Sequence, residues 1–286
     1  MFDGRDRSRI VTRPSPWVVT VAPVIGICTD SSAQLPPDLV AHLGVEVVPL
    51  TVTIDEIDHL DGVDLDADEF YGRFVSGTWP KVRMSEPSSG QMAAAYEDLV
   101  ARGCTEILSI HVTGAVTGAL NAARLAAHHS PVPVRVIDSG SVGFGVGCCV
   151  WSAADAIAHG ATLEQAAVAA ELAAAQLGHL VLLHPPDGNP NLDLVQVGAG
   201  SVKTVGNYPH AVDAINEVAQ RVVSWGRHLR VGVGHSDRHS GVIADALEAA
   251  VGEAANVIEV VRFRIGPSMG SLTGPGAVGC VMCPAG

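Results

Sequence analysis

The sequence predicts an α/β protein made of two α/β domains with mainly parallel sheets. Three observations carry this reading. From about residue 24, short apolar runs alternate with amphipathic stretches of helix length. Capping boxes open several of those stretches, as at Ser88 with Gln91 and Thr162 with Gln165. Hydrophobic residues make up 48% of the 286 residues and charged residues 16%, a composition that buries cores instead of staying unfolded.

In order, Val24–Cys28 reads as a buried strand, and Thr29-Asp30-Ser31-Ser32 as the hydroxyl-rich turn that follows it. Pro36 and Pro37 fit the first turn of a short helix that Gly44 ends. Val45–Ile54 reads as one strand, and Asp66 with Glu69 opens a helix that Gly77 closes. The helix from Ser88 runs through Met92, Ala95, Tyr96 and Leu99 to Gly103. Strands over Glu106–Val112 and Val134–Ile137 flank a helix over Ala119–His128. Helices over Gly147–His159 and Thr162–Leu177 come next, then the turn His184–Asn191 between short β runs. Helix 210–224, strand 229–234, helix 239–251 and strand 256–263 complete the second unit. The expected organisation is a flexible basic extension over 1–22, a first domain over 23–153 and a second over 154–286.

Composition also excludes function classes. A net charge of −13 repels phosphate backbones and anionic bilayers, so nucleic acid is not an expected partner and stable membrane insertion is not expected. No uninterrupted apolar run reaches the roughly 18 to 20 residues of a spanning helix. Arg5, Arg7, Arg9 and Arg13 before Val18–Cys28 loosely imitate a signal peptide, but Pro14, Pro16 and Pro23 interrupt it. Six cysteines make no disulfide ladder, and Cys280-Val-Met-Cys283 stands without a second pair. Buried thiols in a reducing cytoplasm are expected, with no metal and no cofactor.

In a sheet of this kind ligands bind beyond the carboxyl ends of the strands. Ser31, Ser32, Thr113, Thr117, Asp138 and Ser139 fall there, mostly hydroxyls near helix starts that suit an anionic head group. Thr113-Gly-Ala-Val-Thr-Gly118 is neither a Walker A loop nor a full dinucleotide loop; taken alone it is a tight turn with a helix cap. Arg264–Gly276 holds four glycines and two prolines between β-like runs, which allows close approach of a ligand. Neither a Gly-x-Ser-x-Gly elbow nor a zinc-type histidine pair is present, so no catalytic residue is assigned.

In chain order the motifs resemble the DegV family, over most of residues 24–280. They are Thr29–Pro36, Val47–Leu50, Asp61–Asp64, Pro80–Ser88, Ile107–Ala123, Val136–Ser139, Gly234–Asp237 and Ile265-Gly-Pro through Gly276. The resemblance implies a fatty-acid-binding protein and not an enzyme. A long-chain fatty acid or similar amphiphile would place its carboxylate in the cleft between the domains and its chain in an apolar tunnel. The lipid would then be presented to a partner fatty acid kinase. The positions matching the family's head-group region are Ser85, Thr113, Gly114, Thr117, Gly118, Ser271 and Thr273. The sequence departs from the family at Met84, Gly114 and Leu272, each a polar position in the family pattern. It also lacks the family's stretch between about residues 178 and 202, which implies an open or shortened cavity and a weaker, shorter or different ligand. Two alternatives stand beside this: an enzyme of phosphoryl or acyl transfer on a related fold, with Asp30, Asp138 and His111 as its candidates, or a degenerate member without lipid binding.

Overall fold

A computed structural model of the chain describes residues 23–74, 79–184, 190–198, 201–226 and 228–285. The expected extension over 1–22, the helix stop at Gly77 and most of the turn His184–Asn191 lie outside the described residues. The first part comprises β1 (Ile25–Asp30), α1 (Pro37–Leu43), β2 (Glu46–Val48), β3 (Thr51–Ile54), β4 (Ile57–Leu60), α2 (Ala67–Gly72), β5 (Val82–Ser85) and α3 (Ser89–Ala101). It continues through β6 (Glu106–His111), α4 (Ala119–Ala127), β7 (Val134–Asp138), α5 (Phe144–Ala158) and α6 (Leu163–Gln176).

A parallel sheet of order β2-β1-β6-β7 forms its centre, as the alternating pattern predicts. Consecutive residues Ile107 and Leu108 are both fully buried, so both faces of this sheet are covered. Helix α3 starts on the complete capping box of Ser88 and Gln91, and α6 on that of Thr162 and Gln165. The expected single strand Val45–Ile54 is two strands. Pro49 lacks an N–H to continue a ladder; β2 joins the parallel sheet and β3 a separate antiparallel sheet of order β4-β3-β5.

The second part comprises β8 (Gly178–Leu183), β9 (Leu192–Gly198), β10 (Ser201–Tyr208), α7 (Ala211–Trp225), β11 (Leu229–His235), α8 (Arg238–Gly252), β12 (Val257–Arg264), α9 (Pro267–Thr273) and β13 (Val278–Pro284). These strands form one sheet of order β10-β9-β8-β13-β11-β12. The expectation of a mainly parallel sheet needs correction here, since only β11 and β12 pair in parallel. The reason is connectivity: β8, β9 and β10 are joined by short links, which make antiparallel neighbours, whereas the helix α8 crosses over between the parallel neighbours β11 and β12. The segment 178–202 thus contributes β8, β9 and the start of β10 to the sheet. The glycine-rich stretch after Arg264 is not all loop; Pro267 opens the short helix α9 at its first turn.

Alternation sorts the second sheet into two faces. Leu180, Leu182, Leu192 and Leu194 meet α7 and α8, while Val181, Val195, Phe263 and Val281 meet α5. Helix α5 belongs to both cores: Val146, Cys149, Val150 and Ala153 pack on the first sheet, and Phe144, Cys148 and Trp151 on the second. It runs unbroken through residues 153 and 154. Arg230 of β11 fastens this layer, stacking over Trp151 at 4.3 Å and pairing with Asp155.

At the centre of the interface Phe144 stacks on Phe263, with ring centroids 4.6 Å apart and planes inclined by 11°. The pair fits only because β11 has glycines beneath it. A Cβ on Gly232 would stand 2.3 Å from the Phe144 ring, and one on Gly234 2.3 Å from the Phe263 ring. Gly232→Ala is therefore expected to overpack the interface and cost about 1–3 kcal/mol. Urea denaturation checks this: the midpoint falls while the slope stays that of the wild type.

Candidate functional site

The carboxyl edge of the first sheet carries a buried polar network. Asp30 at the end of β1 accepts from the Ser32 amide and hydroxyl through Oδ1. Its Oδ2 accepts from Val112 N at 3.1 Å and lies 2.9 Å from His111 Nδ1. His111 Nε2 reaches Ser109 Oγ at 2.7 Å, and Ser109 meets the Tyr96 hydroxyl at 2.9 Å. The order Asp-His-Ser imitates a nucleophilic triad, but Asp30, His111 and Ser109 are all completely buried. Ser109 is in mid-strand and bonded on both sides, so no substrate reaches its hydroxyl. Asp138, the third enzyme candidate, accepts from Gly140 N at 2.8 Å and turns the loop after β7.

The network has a structural product. It pins the turn Ser31–Ala33, and the next residue, Gln34, is held in the left-handed region with φ 52° and ψ 32°. A non-glycine residue there stores strain, which concentrates at functional sites. Beside it Ser31 Oγ donates to Asp61 Oδ2 at 2.7 Å. Burial pushes the Asp61 carboxyl above the usual carboxylate range, opposed by its hydroxyl donors.

Two hollows adjoin this turn. An open groove of about 800 Å³ runs from Gln34–Val40 to Arg262–Pro267. Arg264 spans it, donating to Asp68 Oδ1 at 2.9 Å and to the Ser236 carbonyl at 2.9 Å. That guanidinium holds Asp68 below the usual carboxylate range. Beside it, between the start of α5, α9 and the second sheet, lies an apolar cavity of about 160 Å³. Its sheet side is made of alternating residues of β8 and β9, namely Val181, Leu183, Val195 and Val197, and Phe144 and Phe263 also line it. Gln34 and His179 are its polar members besides Thr273. Burial drives the His179 imidazole pKa down to about 4 and keeps it neutral.

The expected head-group residues are distributed unevenly around the cavity. Thr273 and the departure Leu272 line it, with Leu272 59% exposed at its edge. Ser271 and Thr273 donate their hydroxyls to carbonyls within α9, those of Ser268 and Met269. Ser85 ends β5 on the exposed side and pairs with Thr51. Met84 packs against both cores, which gives the apolar replacement a structural use. Thr113 turns its loop, donating its amide to the Ser141 carbonyl, and Gly114 N is 3.5 Å from Asp138 Oδ2. Thr117 Oγ1, one residue before the cap position Gly118, accepts from Ala119 N at 3.1 Å. Gly118 lies against Glu86: a Cβ there would stand 2.7 Å from Glu86 Oε1. The start of α4 therefore already has a carboxylate of this chain beside it.

Cys280 and Cys283 are free, buried thiols that belong to different faces of β13, one in each core, so they do not converge on a ligand. Among the described residues no cluster of three metal-ligating side chains occurs, and no helix is long and apolar enough to cross a membrane. The sequence did not single out Gln34, His179, Phe144 or Phe263. Gln34 lies inside the Thr29–Pro36 motif, and His179 shares the two-residue alternation of Val181 and Leu183.

Two measurements test this account. Asp30→Ala strands His111 and the Val112 amide and is expected to cost about 3–5 kcal/mol, read by urea denaturation. His179 takes up a proton more readily in the unfolded chain, with its ordinary value near 6.5, than in the folded one, near 4. Stability linked to it is complete above about pH 6.5 and falls as pH drops toward 4. His179→Phe is expected to flatten that part of the wild-type stability–pH curve, with a difference of up to about 3 kcal/mol at the acidic end.

Comparison with known proteins adds the following. The profile described as "Uncharacterised protein, DegV family" matches residues 24–184. A DegV domain-containing protein of Streptomyces coelicolor is 32% identical over 154 residues, 53% of each chain. One of Streptococcus pyogenes is 37% identical over 116 residues, 41% of each. The chain thus spans about half the length, or less, of the curated relatives it matches. A solved fatty-acid-binding DegV family protein from Thermus thermophilus superposes with a TM-score of 0.82 at 25% identity, covering 92% of this chain and all of that one. DegV of Bacillus subtilis, also solved as a fatty-acid-binding protein, shares the fold with a TM-score of 0.80 at 20% identity and the same coverage. With more than half of its length matched by the family profile, the chain belongs to the DegV family.

Proposed function

We propose that this chain is a lipid-binding protein that holds a fatty acid or similar amphiphile and presents it to a partner kinase, without transforming it. The observation that carries the reading is the apolar cavity between the start of α5, α9 and the second sheet, walled by valines of β8 and β9. The likeness to the Thermus thermophilus fatty-acid-binding protein supports it. In this reading the carboxylate sits at the cavity edge near Thr273, which lines the cavity; Ser85, Thr113, Gly114, Thr117, Gly118 and Ser271 are head-group candidates by the family pattern alone. The acyl chain runs inward over Val181, Val195 and Val197. Each methylene buried adds about 0.8 kcal/mol, so the chain supplies affinity and the hydroxyls orient the head. The buried Asp30-His111-Ser109 network favours this over the enzyme alternative, because its reactive groups are sealed in the core. Six free cysteines suit a reducing, cytoplasmic setting.

The cavity, at about 160 Å³, is smaller than ordinary ligand pockets of about 300–1,000 Å³. The stacked Phe144 and Phe263 limit it, so a shorter acyl chain is the expected ligand. Native mass spectrometry of the purified protein, followed by denaturing extraction, tests the reading. A fatty acid at near-stoichiometric occupancy is expected; an empty protein that ignores added octanoic, decanoic and palmitic acids would mean the family fold without the family ligand. If the Phe pair sets the length, the wild type prefers the shorter acids and Phe263→Ala shifts the preference toward palmitic acid.

A further inference from the structure

One edge of the cavity depends on a turn with little stiffness of its own. Met269, Leu272 and Thr273 of α9 line the cavity, and so does Gly279 of β13. Between these two lining segments the chain passes through Gly274-Pro275-Gly276. Gly274 and Gly276 have φ of 71° and 80°, the left-handed region that glycine enters freely and other residues rarely. Pro275 has no N–H with which to fasten the turn. The fastening comes from the residues that follow β11, Ser236 and Asp237, neither of which lines the cavity. Gly276 N donates to Asp237 Oδ2 at 2.6 Å, and Ala277 N to Ser236 Oγ at 2.9 Å. Ser236 N returns a bond to the Ala277 carbonyl at 3.0 Å. The other carboxylate oxygen, Asp237 Oδ1, accepts from His239 N and Ser240 N, each at 2.9 Å, and so caps α8. Burial opposes ionisation here, but the amides of Ser240, Gly276 and His239 hold the Asp237 carboxyl below the usual carboxylate range. One ionised carboxylate thus fixes the glycine turn against the rigid start of a fifteen-residue helix.

We propose that Ser236 and Asp237 are positioning residues for the ligand: they latch the turn Gly274–Gly276, and the latch sets where Leu272, Thr273 and Gly279 stand against an acyl chain. The inference rests on the reading of the cavity as an acyl-chain site. It gives the motif Gly234-His-Ser-Asp237 a use in binding although no atom of Ser236 or Asp237 meets the ligand. Opening the latch leaves the valines of β8 and β9 where they are and frees only the α9 edge. The ligand then has to pay the ordering of that edge on binding, so affinity falls while the fold persists. Asp237→Asn separates the two tasks of the carboxylate. The amide oxygen still accepts from the α8 amides, while the NH2 group turns toward Gly276 N, donor against donor. Ser236→Ala opens the same latch from the Ala277 side and leaves the carboxylate untouched.

The test is a calorimetric titration of the full-length protein with octanoic, decanoic and palmitic acids, continued in the variants with the acid that the wild type binds tightest. Asp237→Asn and Ser236→Ala are each expected to bind it about tenfold more weakly. Thr162→Ala, which removes the cap of α6 and lowers the urea midpoint without touching the latch, is expected to bind as the wild type does. Coupling is reciprocal, so in the wild type the bound acid is expected to slow amide exchange at Gly276 and Ala277, followed without denaturant, where turns exchange by local opening. Latch variants with wild-type affinity, or an equal loss in Thr162→Ala, overturn the positioning role and leave the fatty-acid reading standing. Unchanged exchange at both amides overturns it as well, and that measurement needs no variant to fold. A wild type that binds none of the three acids overturns both readings.

Discussion

The stack of Phe144 on Phe263 governs where everything else in the ligand region can be. Phe144 is the first residue of α5, so its seat fixes the height at which that helix enters between the two sheets. Phe263 is on β12, and Gly232 and Gly234 on the neighbouring β11 give both rings room to lie flat. With the rings in place, one end of the interface is filled and the other, over β8 and β9, keeps the cavity. The same two glycines that weaken a strand in isolation are therefore what allow two domains' worth of sheet to share one helix.

The Asp30 network performs the complementary task from the other side. It gathers β1, β6 and the turn after β1 around one fully buried carboxylate with four protein donors. Such satisfaction is what makes a buried carboxylate tolerable. Its consequence lies two residues downstream of Ser32, where the chain has no freedom left and Gln34 takes a strained conformation at the cavity wall. A constellation that looks catalytic thus works as a clamp.

Much of this fold is legible in the sequence, for physical reasons that also explain what is not. The capping boxes at Ser88 and Thr162 are readable because cap and partner lie within one turn, and both form as read. The strands β1 and β6 are readable because a fully buried parallel strand is a short, unbroken apolar run. The pairing of β8, β9 and β10 depends on which neighbours meet, and alternation alone does not give direction. Val45–Ile54 looks like one strand because only Pro49 marks the point where the chain leaves one sheet for another. The family motifs lead to the right region, since Thr273 and Leu272 do line the cavity. They do not lead to His179, which joins the cavity wall only once β8, α9 and the turn at Gln34 come together. A lone histidine in a leucine-rich strand gives no sign of what it faces.

Affinity and selectivity in such a cavity come from different atoms. Every methylene placed against Val181 or Val195 contributes about 0.8 kcal/mol whatever the rest of the chain contains, so the walls measure length and little else. A buried polar group left unmet costs about 1–3 kcal/mol, equivalent to between one and four methylenes. The head-group edge has few free donors to set against that cost, because the hydroxyls of Ser271 and Thr273 donate within α9 and Glu86 crowds the start of α4. With those groups committed, the walls supply affinity and the stacked Phe144 and Phe263, which bound the cavity, select the length.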